Sequence, residues 1–342
     1  MEMAGLKTKI ILGVAAALII LAAIAVFLSL HQGLPPGRAR GPLVQEVYIW
    51  QRLWGEELLK AVRLSAPSFR RLVVLCAEIS FEKGKPRVVQ VPVDHKALAA
   101  AGQPVGLALR VGPYQGSFDR DGEAARRICA VAAGMVAKAR AGKIEPSEVQ
   151  IDFDCAESKL DGYRTWIEAA RQAVSPVPLA LTTLPSWLDR PAFQELAAAA
   201  GAFILQVHAL QRPAGPDSPL VLCNPAAARR WVEEAAKVGV PFRVALPTYG
   251  YQVAFGSNGK YLGLRAEGPR PPWPQDAVIR ETQADPKAMA ALLRAWTEDR
   301  PVELSGVIWY RLPLSSDVFN WRWPTLQAVM DGRAPEPSPG PR

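Results

Sequence analysis

The sequence predicts an α/β protein whose main domain is a closed (β/α)8 TIM barrel, preceded by a single N-terminal transmembrane helix. Strand-like runs alternate with helical patterns eight times, which is typical of parallel strands joined by helical crossovers. The phosphate-loop patterns GxGxxG and GxxxxGK[ST], which often mark open doubly wound sheets, are absent. A doubly wound open sheet is the alternative architecture for the same alternation.

Residues 10–30 form the segment that predicts the transmembrane helix. They are apolar apart from Gly13 and Ser29 and follow Lys7 and Lys9. At 1.5 Å per residue such a helix crosses a hydrocarbon core of about 30 Å. A secretory signal has an apolar region of about 7–15 residues and a small-x-small cleavage site, which AVFLSLHQG does not provide. We therefore expect an uncleaved single-pass anchor in the cytoplasmic (inner) membrane.

The charges beside this segment indicate its orientation. The lysines before it favour an inside N-terminus, although Arg38 and Arg40 follow on the other side. We expect the barrel to face the periplasm or the cell exterior. The predicted organisation is a short tail (1–9), the anchor (10–30), a Pro/Gly linker (31–43), the barrel (44–331) and a disordered Pro-rich tail (332–342).

Charge and cysteine usage exclude some classes of function. The formal charge of +8 is spread along the chain without a long basic run, so we expect no nucleic-acid partner. Nothing in the sequence indicates a protein partner. The four cysteines form no CxxC pair and have no histidine at zinc-ligand spacing, so we expect neither a metal site nor a cofactor. If the domain is exported, Cys129 and Cys155 are the candidate disulfide pair.

The repeating elements are predicted in chain order. The strands are Val47–Arg52, Leu72–Ser80, Val105–Val111, Val149–Asp154, Val177–Thr183, Ala202–His208, Phe242–Thr248 and Leu304–Arg311. The helices are Glu56–Leu64, His95–Ala101, Gly122–Ala141, Leu160–Val174, Pro191–Ala200, Pro225–Val238, Pro286–Asp299 and Trp323–Met330. Asn224 and Asp285 each precede a proline at a first helical position, the expected arrangement of an N-cap.

The carboxyl ends of the predicted strands carry the candidate site, because barrel active sites form at that end. The first halves of most strands are aliphatic, whereas polar and aromatic residues gather at the second halves. Aromatic walls around hydrogen-bonding groups are typical of sugar binding. The candidate substrate-binding residues are Trp50, Arg52, Arg110, Gln206, His208, Tyr249, Trp309 and Arg311.

The fourth strand supplies the candidate catalytic carboxylates. Alternate side chains of a strand point the same way, so Gln150, Asp152 and Asp154 share one face, and Glu157 follows at the turn. We predict Glu157 as general acid, with Asp154, Asp152 or Glu78 as second carboxylate. A carboxyl separation of about 5–5.5 Å indicates a retaining enzyme and about 6.5–9.5 Å an inverting one. Alternatively, Asp152 is structural.

Several segments resemble a bacterial domain-of-unknown-function family of glycosidase-like barrel proteins. They are VYIWQRLW, LCAEISF, VQIDFDCAESKLDGY, LTTLPSW and GVIWYRLP, and the resemblance spans about Val47 to Met330. It implies the barrel fold.

IDFDCAE is also similar to the DxxDxDxE motif of chitinase-type (family 18) barrels. Asp152 and Asp154 match the last two aspartates and Glu157 the acid, but the final spacing is one residue longer and Val149 replaces the first aspartate. Trp309 is similar to the tryptophan that floors the sugar site of those enzymes. These departures mean that the N-acetyl-assisted mechanism is not implied.

The expected function is that of a membrane-anchored, glycoside-hydrolase-like barrel acting on glycosidic bonds of a polysaccharide or glycolipid. The alternative is a non-catalytic exported carbohydrate-binding or scaffold barrel, since barrels host many functions. A third class, an enzyme for a phosphorylated small molecule, is suggested by the Gly-rich stretch Phe255–Gly259 after the seventh strand. That stretch leads into Tyr261 rather than a helix, so a hairpin-like flap is the simpler interpretation.

The anchor predicts where the protein fractionates. We expect full-length protein in the membrane fraction, and protease added to intact spheroplasts should remove the domain after Gly33. Immunoblotting of the two fractions measures both results. Protection of the domain from the protease would instead place it in the cytoplasm.

Overall fold

The computed structural model describes residues 37–82, 84–210 and 212–335, and its centre is a closed barrel of eight parallel strands. The strands are β1 (Val44–Ile49), β2 (Arg71–Glu82), β3 (Val105–Val111), β4 (Pro146–Phe153), β5 (Leu179–Thr183), β6 (Phe203–Gln206), β7 (Phe242–Pro247) and β8 (Leu304–Tyr310). Each strand pairs with the next, and β1 pairs in parallel with both β2 and β8. This closure confirms the predicted TIM barrel and excludes the open doubly wound sheet.

A helix follows each barrel strand and packs on the outside. These helices are α1 (Glu56–Ser65), α2 (His95–Ala101), α3 (Glu123–Ala141), α4 (Leu160–Val174), α5 (Pro191–Ala200), α6 (Pro225–Ala236), α7 (Pro286–Glu298) and α8 (Trp323–Met330). Short 3-10 turns occupy Ala66–Ser68, Glu157–Lys159 and Pro185–Trp187. The side chains of Asn224 and Asp285 accept backbone N–H bonds at the starts of α6 and α7, as their sequence context predicts.

Antiparallel strands extend the barrel in three places. Lys85–Gln90 pairs with the second half of β2. Gly250–Phe255, Tyr261–Arg265 and Val278–Gln283 form a three-stranded sheet after β7, which we call the flap. The Gly-rich stretch before Tyr261 is therefore a hairpin turn, with Gly259 at φ +76°. Arg38–Ala39 pairs with Arg300–Pro301, so part of the predicted linker already belongs to the barrel domain.

Some predicted features lie outside the described residues. They are the anchor at residues 10–30 and most of the tail at 332–342. Within the described part of the chain, none of the helices combines the length and apolarity that crossing a bilayer requires. The four cysteines are all described and all free, so the suggested Cys129–Cys155 disulfide is not formed.

The barrel interior is filled by alternate residues of the strands, in layers stacked along the barrel axis. The middle layer is mostly apolar and includes Val73, Ala108, Ile204, Ala245 and Ile308. The other face of each strand packs on the helices in a larger core cluster.

The layer at the amino-terminal end of the barrel is charged. The guanidinium of Arg243 donates to Glu148 through both terminal nitrogens at 2.8 Å and also to Glu46. Arg71 approaches Glu148 to 2.9 Å, and it is the only one of these four that is partly exposed. A Cβ at Gly106 would lie 3.2 Å from Glu148 Cγ, so a glycine leaves the room that this cluster needs. The four charges form one buried ion cluster.

A hydrogen-bond chain connects this ion cluster to the middle of the barrel. The Gln150 amide donates to Glu148 at 2.6 Å, and its carbonyl accepts from the Tyr48 hydroxyl at 2.7 Å. Because the side chains of Tyr48, Gln150 and Glu148 all have hydrogen-bond partners, their burial is tolerated.

Arg243→Met tests the contribution of the ion cluster. The change removes the cation between Glu46 and Glu148 and leaves two buried carboxylates, so we expect a loss of about 3–5 kcal/mol in the free energy of unfolding. Urea denaturation measures it. Arg230→Met is the control, because Arg230 is an exposed side chain of α6, and it should change stability by no more than about 0.5 kcal/mol. Equal stability of the two variants would contradict this view of the cluster.

Candidate functional site

A cavity of about 480 Å³ opens at the carboxyl-terminal mouth of the barrel. It lies above the middle layer and receives side chains from the ends of the strands and the loops that follow. Its lining consists of Tyr48, Trp50, Arg110, Asp152, Asp154, Thr182, Leu184, Gln206, His208, Ala209, Leu210, Ala245, Tyr249, Ala266, Tyr310 and Arg311. Eight of the twelve residues proposed from the sequence lie here, so strand-end reasoning located the cavity.

Asp152 is the most enclosed acid of the cavity. Its side chain is 14% exposed, accepts a hydrogen bond from Thr182 Oγ1 at 2.7 Å and lies 3.5 Å from the Gln206 amide nitrogen. Burial raises the pKa of the Asp152 carboxyl, and the Arg110 guanidinium, 3.8 Å away, opposes that shift. A carboxyl whose pKa is raised in a cleft is a candidate proton donor.

Asp154 and Arg110 provide more accessible polar groups. Asp154 follows the last residue of β4 and is exposed at the cavity wall, where it contributes to the raised pKa of Asp152. The Arg110 side chain, at the end of β3, is 44% exposed. Both side chains reach solvent, so each can form a hydrogen bond with a ligand without breaking a deeply buried interaction.

Aromatic rings form the opposite wall, with Tyr310 at its centre. The Tyr310 ring centroid lies 5.5 Å from that of Trp50, 5.4 Å from that of His208 and 5.6 Å from that of Tyr249. Burial raises the pKa of the Tyr310 hydroxyl to about 12, so it stays protonated at neutral pH. The wall combines flat apolar surface with hydroxyl groups.

His208 is a neutral member of this wall. Burial lowers its pKa to about 4, and its Nδ1 lies 3.3 Å from the Tyr249 hydroxyl. Its Nε2 is buried without a hydrogen-bond partner. A neutral imidazole with a free ring nitrogen can donate to or accept from a ligand hydroxyl, depending on its tautomer.

Arg311 lines the cavity, and one terminal nitrogen of its guanidinium is bonded to residues outside the cavity chemistry. It is buried, forms an ion pair with Asp317 and donates to the Ala266 carbonyl at 2.9 Å. That nitrogen therefore positions the loops after β7 and β8, while Nε is buried without a hydrogen-bond partner. The role of Arg311 in bonding a substrate stays a prediction.

Glu157 lies outside the cavity, which corrects its prediction as the general acid. Strand alternation ends at Phe153, and Glu157 begins a 3-10 turn in which its carboxylate accepts from Arg190 at 2.6 Å. The exposed pair has no contact with Asp152 among the described hydrogen bonds.

Glu78 and Arg52 form a pair with each other at the rim and do not line the cavity. Arg52 donates to both Glu78 oxygens, at 2.7 and 2.8 Å. A register shift between Leu75 and Ala77 brings Glu78 beside Arg110 on β3. Such a bulge changes which side chains face inward and is not visible in the sequence pattern.

Trp309 is buried outside the barrel, which corrects the prediction that it floors the site. Its indole N–H donates to Gln45 at 2.7 Å and its ring packs near Trp321. The neighbouring Tyr310 faces the cavity instead. Alternation in β8, with Ile308 inside the barrel, is the signal that would have identified Tyr310, and Thr182 and Tyr48 follow from the same parity.

No group of three or more histidine, cysteine or acidic side chains in the described ranges is arranged to hold a metal ion. The chemistry of the cavity is carried by carboxyl, amide, guanidinium, imidazole and phenol groups.

A closed (β/α)8 barrel with clustered acids and aromatics at its carboxyl-terminal mouth defines the class: the protein is a TIM barrel with a candidate site at the usual end of that fold. The chain belongs to the family described as "Domain of unknown function (DUF3142)", whose model matches residues 108–315. Both statements agree with the resemblance found in the sequence.

Solved structures with this fold include the spore cortex-lytic enzyme SleL of Bacillus megaterium QM B1551. It is 12% identical, with a TM-score of 0.59 over 88% of this chain and 76% of that one. A chitinase from Chromobacterium violaceum ATCC 12472 is 16% identical, with a TM-score of 0.53 over 85% and 98% of the two chains. The GH18 chitinase ChiB of Flavobacterium johnsoniae is 12% identical, with a TM-score of 0.54 over 85% and 94%. At these identities the likeness concerns the fold alone.

A comparison with curated protein sequences gives no match.

Proposed function

We propose that this protein binds a glycan in the cavity at the mouth of the barrel. The observation that carries the proposal is the pairing of an aromatic wall, centred on Tyr310, with the polar groups of Asp152, Asp154 and Gln206 across one cavity. Sugars present apolar C–H faces and a rim of hydroxyls, and this arrangement matches both surfaces. The similar fold of chitinases and a cortex-lytic enzyme supports a carbohydrate ligand.

Each wall has a separate task in this proposal. Trp50 and Tyr310 pack against a sugar face, which removes apolar surface from water. Asp154, Gln206 and Arg110 bond the hydroxyls at the open side. His208 contributes its neutral ring to the aromatic wall, stacked against Tyr310.

Tyr310→Leu tests the aromatic wall. The substitution keeps apolar volume but removes the flat ring. Glycan affinity should therefore fall about tenfold, which corresponds to a loss of about 1.4 kcal/mol in binding free energy. Calorimetric titration with trisaccharides of β-linked glucose and β-linked N-acetylglucosamine measures it. Trp309→Phe, the neighbouring aromatic outside the cavity, should lower stability but leave affinity unchanged. If Trp309→Phe lowers glycan affinity and Tyr310→Leu does not, then Trp309 and not Tyr310 is the ring that contacts the sugar.

Hydrolysis of a glycosidic bond is the second candidate function, and the raised pKa of Asp152 favours it. Asp152 would give its proton to the glycosidic oxygen as the bond to the anomeric carbon breaks. Asp154 would stabilise the positive charge that develops there. Water would then bond to the anomeric carbon through its oxygen and give one proton to the Asp152 carboxylate, which restores the acid. In the family 18 pattern the acid falls at residue 156, which is alanine here, so the proton must come from another group.

Asp152→Asn tests the hydrolytic proposal. It removes the proton donor while keeping the size of the side chain, so turnover should fall by about 10²–10⁴-fold. The matched control is Glu157→Gln, which alters an acid of the same segment outside the cavity and should keep wild-type turnover. Product release from a panel of bacterial polysaccharides is the measurement. If the wild type binds glycans and cleaves none, the protein is a carbohydrate-binding barrel without catalysis.

We also propose that residues 10–30 hold the barrel at the membrane, facing outward. The length and apolarity of that segment support this location. It would bring the cavity to cell-envelope glycans, whether polysaccharide or glycolipid.

A further inference from the structure

A second cavity, of about 310 Å³, adjoins the first on the side of β5 and β6. The two share Leu184, Gln206, His208 and Ala209 in their linings. The two cavities therefore lie next to each other and border the same four residues. We call the second cavity the side pocket.

The side pocket differs from the first cavity in chemistry. Beyond the shared residues it is lined mainly by apolar groups, among them Pro185, Val221, Leu222 and Trp231. Its two titratable groups are His208 and Cys223. Burial lowers the pKa of His208 to about 4 and raises that of Cys223 to about 12, so both are uncharged at neutral pH. Charged ligand groups would find no counter-charge here.

The pocket is held in shape by the backbone of the loop between β6 and α6. His208 and Cys223 form an isolated antiparallel bridge, and the Ala209 N–H donates to the Leu222 carbonyl at 3.1 Å. Val221, 48% exposed, stands in the lining beyond this bridge. A preformed pocket with exposed aliphatic surface binds an apolar group at a low cost in ordering.

We propose that the ligand is an amphiphilic glycoside: its sugar occupies the first cavity and an aliphatic chain attached to that sugar lies in the side pocket. The inference rests on the proposed glycan binding and narrows it to the glycolipid class. Shared lining residues and the contrast between a polar cavity and an uncharged apolar one carry the argument. Each methylene fully buried in the pocket should tighten binding by about fourfold.

The experiment compares methyl and hexyl β-glycosides of the same two trisaccharides. Full-length protein in lipid nanodiscs is titrated calorimetrically, and empty nanodiscs are subtracted to remove partitioning of the chain into lipid. For the wild type we expect the hexyl glycoside to bind at least about tenfold more tightly than the methyl glycoside, because several methylenes leave water.

Val221→Asp places a charge in the side pocket and should abolish the hexyl gain while leaving methyl glycoside affinity unchanged. Val278→Asp is the matched control: Val278 is 45% exposed on the flap, outside both cavities, and this variant should keep the gain. Both positions are exposed, so folding should persist.

The outcomes separate this inference from the proposed function. Methyl and hexyl glycosides that bind equally well would overturn the inference and leave glycan binding intact. A hexyl gain that survives Val221→Asp would overturn it as well, because the chain would then lie elsewhere. If neither trisaccharide binds in either form, the proposed function fails and the inference fails with it.

Discussion

The buried ion cluster of Glu46, Glu148, Arg243 and Arg71 is the constraint on which the site depends. Charges from four residues on β1, β4, β7 and β2 meet at the amino-terminal end of the barrel, where only Arg71 reaches solvent. A slip of one residue in any of these strands would turn its charge toward the apolar helix layer, which is costly. Buried ion pairs are weak evidence for stability but are strongly destabilising when broken, so we infer that this cluster sets strand register.

The strand register at the amino-terminal end of the barrel determines which side chains face the cavity at the carboxyl-terminal end. On β4 the inward side chains are Glu148 in the ion cluster, Gln150 in the middle layer and Asp152 in the cavity. Because side chains alternate between the two faces of a strand, the register that points Glu148 inward also points Asp152 inward. Gln150 also joins the layers through its hydrogen bonds to Glu148 and Tyr48. The cavity is therefore supported by hydrogen-bonded polar side chains as well as by apolar packing.

The cavity differs from a family 18 site in ways that bear on its function. Alanine occupies position 156, Glu157 pairs with Arg190 and does not line the cavity, and Trp309 packs near Trp321. The retained acids, Asp152 and Asp154, instead face Tyr310, His208 and Gln206. The position of a proton donor is therefore not set by the barrel itself, since the fold does not dictate the chemistry.

The sequence by itself determined the barrel, its strand order and the end that carries the site, because alternation of strands and helices and the polar strand ends are local patterns. It located Asp152, Asp154, Gln206 and His208 for the same reason. Only the tertiary structure decided the surroundings of Glu157 and Glu78. A salt bridge to Arg190 from another loop and a bulge in β2 depend on contacts between distant segments, and residue spacing along one strand does not encode them.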